Sequence, residues 1–507
     1  MVVVYPCSTL FFFFKMLNSI DEVVRSRMGR TSRRRRKKRQ KERSSRSLSH
    51  LEPYVNLARW MRKQGFTGAP LCPTTFVGTG RGLAATKTIK SNDLLVALPK
   101  RFLITADTVL QSYLGDYIVR SKLHLTPLQA VCIFLVSELW FSHTSVEPQK
   151  ITPCLDSVIP DLMHYNFNSF FDTPSICSQK DSTGASRPLQ AGFWKPYLFV
   201  LPNSYSCPAF FTQQLCDTLP PVLSHHATEQ TSFVQVAFRS AWPFITSIQP
   251  LFTRPVSSIF TFRAFLWAWG TVNTRSVYMQ PHPAPLLTGG TTGDFALAPL
   301  LDLLNHSPTA QVAAGYNEQR GCYEVRTLSP CERWKQAFIA YGDHSNHQLL
   351  LEYGFVTSPN PYSLLPLHAE DELAVFVANR LEKSMQKNLM ALVERGLDRD
   401  MTIGAGGLSW NLQVVLRALA LKPHHRISFG DVVVGRSVPT SMQAMATKLA
   451  LQLCEQLVND RRQRLAKVPH GERRHEATNS VITLLTEELE ILQQCLSLPN
   501  VGVQNSL

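Results

Sequence analysis

Along the chain, hydrophobic positions fall into stretches of two different periods. In "LEPYVNLARWMRKQGF", Leu51, Tyr54 or Val55, Ala58, and Met61 or Arg62 recur at helical spacing, which predicts a short amphipathic helix ending before Gly65. The following "GTGRGLAATKTIKSNDLLVALPKRFLIT" alternates turn residues (Gly78, Gly80, Gly82, Ser91 to Asp93) with β-prone runs, so several short strands are expected. From Thr108 to about Leu139 the pattern turns helical, and "PLQAVCIFLVSEL" reads as strongly buried. Between Trp140 and Gly192 periodicity disappears: Pro148, Pro153, Pro160, Pro174 and Pro188 stand among many Ser and Thr, and a poorly ordered insertion is expected. Helices return in "FVQVAFRSAWPFI" and "FTFRAFLWAWGTVNTRSVY", and strands in "AAGYNEQRGCYEVRTL" and "KQAFIAYGD". Past Pro366 the chain reads as almost all helix, with stripes at Met442, Met445, Leu449, Leu453, Leu457 and at Val481, Leu485, Leu489, Leu492, Leu496. These stripes face a bundle core and carry no chemistry.

One apolar run does not obey this logic. "LAPLLDLLNHS", Leu297 to Ser307, sets Asp302, Asn305 and His306 among residues that bury themselves. A polar group buried without a partner costs about 1–3 kcal/mol. These three side chains must therefore cap something or hold something.

Composition fits a multi-domain globular chain: 507 residues, 44% hydrophobic and 18% charged. The net charge of +15 is concentrated near one end, with eleven Lys or Arg between Met28 and Arg46 against the single Glu42. "RRRRKKRQKER" suits a nuclear address or contact with nucleic acid, and a solvated tail is the alternative. Eleven cysteines from Cys7 to Cys495 include no C-x-x-C pair, so neither a zinc site nor a disulfide framework is expected. "MVVVYPCSTLFFFF" lacks the positive start and cleavage site of a signal peptide and is too short to span a bilayer, so no membrane association is expected. Met28 is a plausible alternative start. Gly289 and Gly290 are not followed by Gly-Lys-Ser/Thr, so "PHPAPLLTGGTTGD" reads as a surface loop rather than a phosphate cradle.

Four separated pieces remain: "GTGRGL" at Gly78 to Leu83, "NTRS" at Asn273 to Ser276, "DLLNHS" at Asp302 to Ser307, and "YGDHSNHQLLLEYGFV" at Tyr341 to Val356. In this order they resemble the SET-domain methyltransferases, and the helical C-terminal third resembles the class of the plant Rubisco large-subunit methyltransferase. The resemblance covers roughly Tyr54 to Leu498, apart from Trp140 to Gly192. It implies an α+β fold: a SET-domain β-fold of short strands with a threaded-loop pseudoknot and a helical insertion at about 108–270, plus an all-α C-terminal domain. The expected organisation is a disordered basic tail over 1–50, a SET domain over 51–365 with an extra insert at 140–192, and a substrate-binding helical domain over 366–507.

The resemblance also assigns roles. Thr79, Gly80 and Arg81 would line an S-adenosylmethionine site, since a glycine-rich turn lets backbone groups approach a ligand. Asn305 and His306, threaded through a later loop, would face the cofactor together with Phe355, and Arg275 and Asp302 would pair near the substrate channel with Tyr353. Tyr341 would be catalytic: aromatic faces attract the target ammonium and the sulfonium, and a hydroxyl can orient the nucleophile.

The implied activity is methylation of lysine in histone tails and non-histone proteins by a monomer of nucleus and cytoplasm, with no metal. Related histidine methyltransferases place an amide side chain two residues after the arginine, where this chain has Val277. A non-catalytic scaffold, or a nucleic-acid binder acting through the basic tail, is the reading from another class.

Overall fold

The computed structural model describes residues 45–121, 123–144, 191–379, 383–396, 398–422, 428–433, 438–469 and 476–499. The basic run up to Arg43 and nearly all of the proline-rich insert lie outside the described residues. The end of the expected disordered tail is corrected, because Ser45–Ser47 forms a strand, β1, whose Arg46 sits opposite Thr75. The Ser-Arg-Ser segment pairs with the next strand and covers an edge that would otherwise present unpaired backbone groups.

Helix α1, Glu52–Lys63, begins with an acidic residue and a proline in its first turn and ends on Arg62 and Lys63. It buries Tyr54, Leu57 and Met61, whereas Ala58 and Leu51 are exposed. The apolar face is thus rotated by one residue from the expected one, toward the larger Leu57. Strands β2, Leu71–Phe76, and β3, Gly80–Ala85, form a hairpin turning through Gly78 and Gly80, both at positive φ. Strand β4 spans Leu94–Pro99.

Helix α2, Pro127–Thr144, is apolar all round, as a helix enclosed by protein should be, and Ala130 to Leu135 are at most 1% exposed. It continues beyond the expected limit, and Trp140 is buried in the core, so the insert starts after the helix rather than at Trp140. Its return is fixed as well. Glu138 on α2 accepts hydrogen bonds from the backbone N–H of Gly192 (3.0 Å) and of Trp194 (3.1 Å).

Helix α3, Pro221–Ser247, and helix α4, Phe262–Arg275, complete the helical insertion, which reaches Arg275 rather than stopping near 270. Thr261 caps α4 by accepting from Ala264 N–H. The chain then enters strand β5, Ser276–Tyr278, paired with β6, Phe295–Leu297.

The short β7, Asn305–His306, is followed by β8, Val312–Asn317, and β9, Cys322–Thr327, which pair with each other, with β4 on the other side of β9. Strand β10, Gln336–Ile339, lies antiparallel to β3 and parallel to β7, with Phe338 opposite Asn305. A sheet of order β1-β2-β3-β10-β7 results.

The C-terminal region is helical, built on α5, Lys383–Glu394, α6, Trp410–Ala420, α7, Thr440–Lys467, and α8, Glu476–Ser497. It also contains a three-stranded antiparallel sheet: β11, Leu365–Leu367, β12, Met401–Gly404, and β13, Gly407–Leu408. Helix periodicity carries no signal for strands this short, and Leu365 belongs to this sheet rather than to the preceding domain. An apolar cluster joins Leu215, Leu219 and Leu223 with Leu350 and with Val468, Val481, Leu484 and Leu485. It seals the helical region against the rest of the molecule.

Candidate active site

The polar residues of the apolar run have partners drawn from distant parts of the chain. Asn305 donates from Nδ2 to the carbonyls of Arg81 (2.9 Å) and Thr79 (3.2 Å), which ties β7 to the glycine-rich hairpin. A side chain at the crossing would have to displace the two amides that meet there. A Cβ on Gly82 would lie 2.8 Å from Asn305 Nδ2 and 2.7 Å from Gln336 Nε2. Thr79 donates to Gln336 at 2.8 Å, and Arg81 turns its guanidinium to the carbonyl of Val200 at 2.7 Å. The amide hydrogens of Asn305 are therefore committed to the hairpin, and the side chain shapes the turn that Gly80 opens.

His306 accepts at Nδ1 from the backbone N–H of Tyr341 (3.1 Å), so its ring hydrogen is on Nε2. Burial, helped by His344, pushes its pKa down to about 4, and at neutral pH the imidazole is uncharged. Nε2 is buried and has no hydrogen-bond partner among the described residues.

Tyr341 lies just past β10, and its hydroxyl donates to the carbonyl of Leu304 at 2.7 Å. Burial pushes that hydroxyl well above its ordinary pKa, against the pull of Arg275. Its ring centroid lies 4.8 Å from that of Tyr353, 5.2 Å from His306 and 6.1 Å from Phe355. Phe355 lies 6.0 Å from His306, closing an aromatic enclosure.

Beneath it, Arg275 Nη1 meets the backbone carbonyl of Asp302 (3.0 Å) and its Oδ2 (3.3 Å). Leu300, at φ +71°, supplies the sharp turn before Asp302, a left-handed conformation that a branched side chain rarely adopts. Burial raises the pKa of Asp302 even though Arg275 opposes it; burial also pulls Arg275 down, but Asp302 together with Tyr205, Tyr197 and Tyr341 outweighs it and keeps the guanidinium firmly charged.

All ten residues expected at the site are thereby connected. The sequence reading missed Tyr197, whose hydroxyl donates to Asp302 Oδ2 (3.4 Å), and Tyr205, which shares a hydrogen with Thr271 (2.7 Å) and is pushed up to about 12 by burial. It also missed Asn273, whose Nδ2 donates to the carbonyl of Glu352 (2.7 Å) and holds the loop bearing Tyr353. Asn273 stood within a quoted motif; Tyr197 and Tyr205 had no local spacing to betray them.

The donor set fits a cofactor with heteroatoms and an amino-acid end. An oriented N–H on His306, the hairpin backbone at Thr79 to Arg81, and buried unpaired atoms at Asp302 Oδ1 and Arg275 Nε surround an aromatic wall. Among the described residues no cluster of His, Cys, Asp or Glu is arranged to hold a metal ion, and no helix is long and apolar enough to cross a membrane.

No protein-family model matches the chain. Human SET domain-containing protein 4 is 35% identical over 471 residues, covering 92% of this chain and 96% of that protein. A crystal structure of the SET domain of LSMT bound to lysine and AdoHcy superposes with a TM-score of 0.54 at 18% identity, covering 88% of this chain and 90% of the other. More distant relatives include a ribosomal lysine N-methyltransferase of Schizosaccharomyces pombe, 27% identical over 46% of this chain and 54% of its own length. The actin-histidine N-methyltransferase of Mus musculus is 22% identical over 78% of this chain and 66% of its own length. With a tied glycine-rich hairpin, a threaded Asn-His strand and an aromatic loop on the SET fold, the chain belongs to the SET domain-containing protein 4 family.

Proposed function

We propose that the chain is an S-adenosylmethionine-dependent protein-lysine N-methyltransferase. The observation that carries this reading is the Tyr341 hydroxyl, fixed on the Leu304 carbonyl at the centre of an aromatic enclosure beside the glycine-rich hairpin. S-adenosylmethionine would supply the methyl group as an electrophile. Thr79, Gly80 and Arg81 offer it backbone groups, His306 Nε2–H and the Asn305 segment flank it, and Phe355 covers it.

A lysine side chain enters as an ammonium with a reference pKa of about 10.4 and must pass a proton to water before its nitrogen attacks. The apolar wall disfavours the charged form and so lowers that pKa. Tyr341 and the Leu304 carbonyl then hold the neutral nitrogen in line, a contribution of positioning and electrostatics. The expected test is Tyr341→Phe. It should lower methyl transfer by roughly 100-fold or more while leaving the titrated affinity for S-adenosylhomocysteine within about twofold. Transfer at the parent rate would refute the assignment and turn attention to Tyr353.

Lysine is favoured over histidine by Val277, which pairs with Ala296 and offers an apolar side chain where an imidazole would need an amide. The basic run supports a nuclear address alongside a cytoplasmic pool, and with it histone tails among the protein substrates. Replacing the arginines from Arg33 to Arg43 with serine should shift a tagged protein toward the cytoplasm and spare methylation of a peptide. Arg46 is kept in this variant because it lies in β1.

A further inference from the structure

The loop from Tyr341 to Phe355 is held from outside as well as from beneath. At its middle, Asn346 is 1% exposed and opens the short helix Asn346–Gln348, which continues as a wide turn to Tyr353. Every hydrogen-bonding position of this amide is used. Oδ1 accepts from Thr357 N–H (3.0 Å) and from Asn360 Nδ2 (3.2 Å), while Nδ2 donates to the Thr357 carbonyl (2.8 Å) and to Glu487 Oε2 (2.6 Å). The other oxygen of Glu487 accepts from Ser363 Oγ at 2.6 Å. Glu487 stands on α8, whose Val481, Leu484 and Leu485 pack with Leu350 from the same loop.

We propose that α8 sets the position of the aromatic loop, and that Glu487, acting through Asn346, is a positioning residue for Tyr341, Tyr353 and Phe355. The argument is one of satisfaction. A primary amide this deeply buried needs two acceptors for its N–H groups; Thr357 supplies one and Glu487 the other. Without Glu487 one N–H of Asn346 is left unpaired, and the loop relieves that penalty only by moving. Because the short helix and the turn to Tyr353 form one continuous unit, a shift at Asn346 displaces the Tyr353 ring at its end and, through it, the Tyr341 and Phe355 rings that pack on it. The catalytic consequence rests on the methyltransferase reading; the mechanical one does not.

The test compares Glu487→Ala and Glu487→Gln in the full chain, by hydrogen exchange of residues 341–357 and by titration with S-adenosylhomocysteine. Glutamine keeps both contacts: its carbonyl accepts from Asn346, and its amide donates to Ser363 Oγ, which rotates to accept. Glu487→Ala should speed loop exchange by about tenfold or more and weaken S-adenosylhomocysteine binding by a similar factor, and Glu487→Gln should restore both. Parent-like exchange in Glu487→Ala would overturn the proposal. So would equal acceleration throughout α8 and the β11-β12-β13 sheet, which would mark a general loss of stability. A parent protein that binds no S-adenosylhomocysteine, yet whose loop responds to Glu487→Ala and recovers with glutamine, would sink the methyltransferase reading and leave the positioning role intact.

Discussion

Asn305 and His306 are neighbours that do different work. The histidine is held neutral by burial and oriented by a single backbone N–H, whereas the asparagine joins two segments far apart in sequence. Asn305→Ala removes both bonds to the hairpin carbonyls, so the turn at Thr79 and Gly80 loses its support. Titration with S-adenosylhomocysteine should show binding weakened by about tenfold, the order expected for one or two net hydrogen bonds. Unchanged affinity would mean that Gln336 and the β3–β10 pairing suffice. At this scale the sequence was informative where a polar residue interrupts an apolar run, since burial forces it to find a partner. It was silent on Tyr197 and Tyr205, because a buried tyrosine has the same local pattern whether it meets an ionic pair or only packs.

Helices long enough to repeat their period were legible: α7 and α8 lie where the apolar stripes placed them, and α2 contains the run expected to be buried. What failed was finer. Leu57 and Ala58 are adjacent, so the period alone could not choose the buried face of α1, and side-chain volume decided it. Strands β1, β5 and β11 to β13 are each four residues or fewer, too short for alternation to register. The insert gives a test of element boundaries. Glu138 pins the returning chain at Gly192 and Trp194 directly against α2, so excising 145–190 and closing with a short Gly-Ser linker should leave Tm within about 2–4 °C of the parent. A larger fall would show that the segment contributes to the core. Glu138→Ala, by contrast, strips acceptors from two N–H groups and should cost about 2–4 kcal/mol in denaturant unfolding.

Across the whole molecule, the helical region and the SET-like region share a buried ionic network. Arg461, fully buried, donates from Nε to Glu488 (2.5 Å) and from Nη2 to Glu372 (3.4 Å), and Glu488 also meets His347 beside the aromatic loop. Burial alone would raise the pKa of Glu488, but Arg461 and His347 outweigh it and hold it at about 2, below the ordinary 4.5. A depressed carboxylate stabilises fully above its ordinary pKa, and the contribution is lost as pH falls from about 4.5 toward 2. Glu488→Gln should therefore cost about 3–5 kcal/mol at pH 7, where it leaves Arg461 incompletely paired. The Tm curves of parent and variant should converge toward pH 2; a constant gap would show that packing, and not charge, accounts for the loss. The threaded strand and the glutamates on α8 also impose an order of events on synthesis. Strand β7 must lie beside β10 before the loop can close over it, and the contact from Asn346 to Glu487 spans 141 positions. On a ribosome the last brace of this loop to arrive is α8, so Asn346 stays without one of its acceptors until position 487 has emerged.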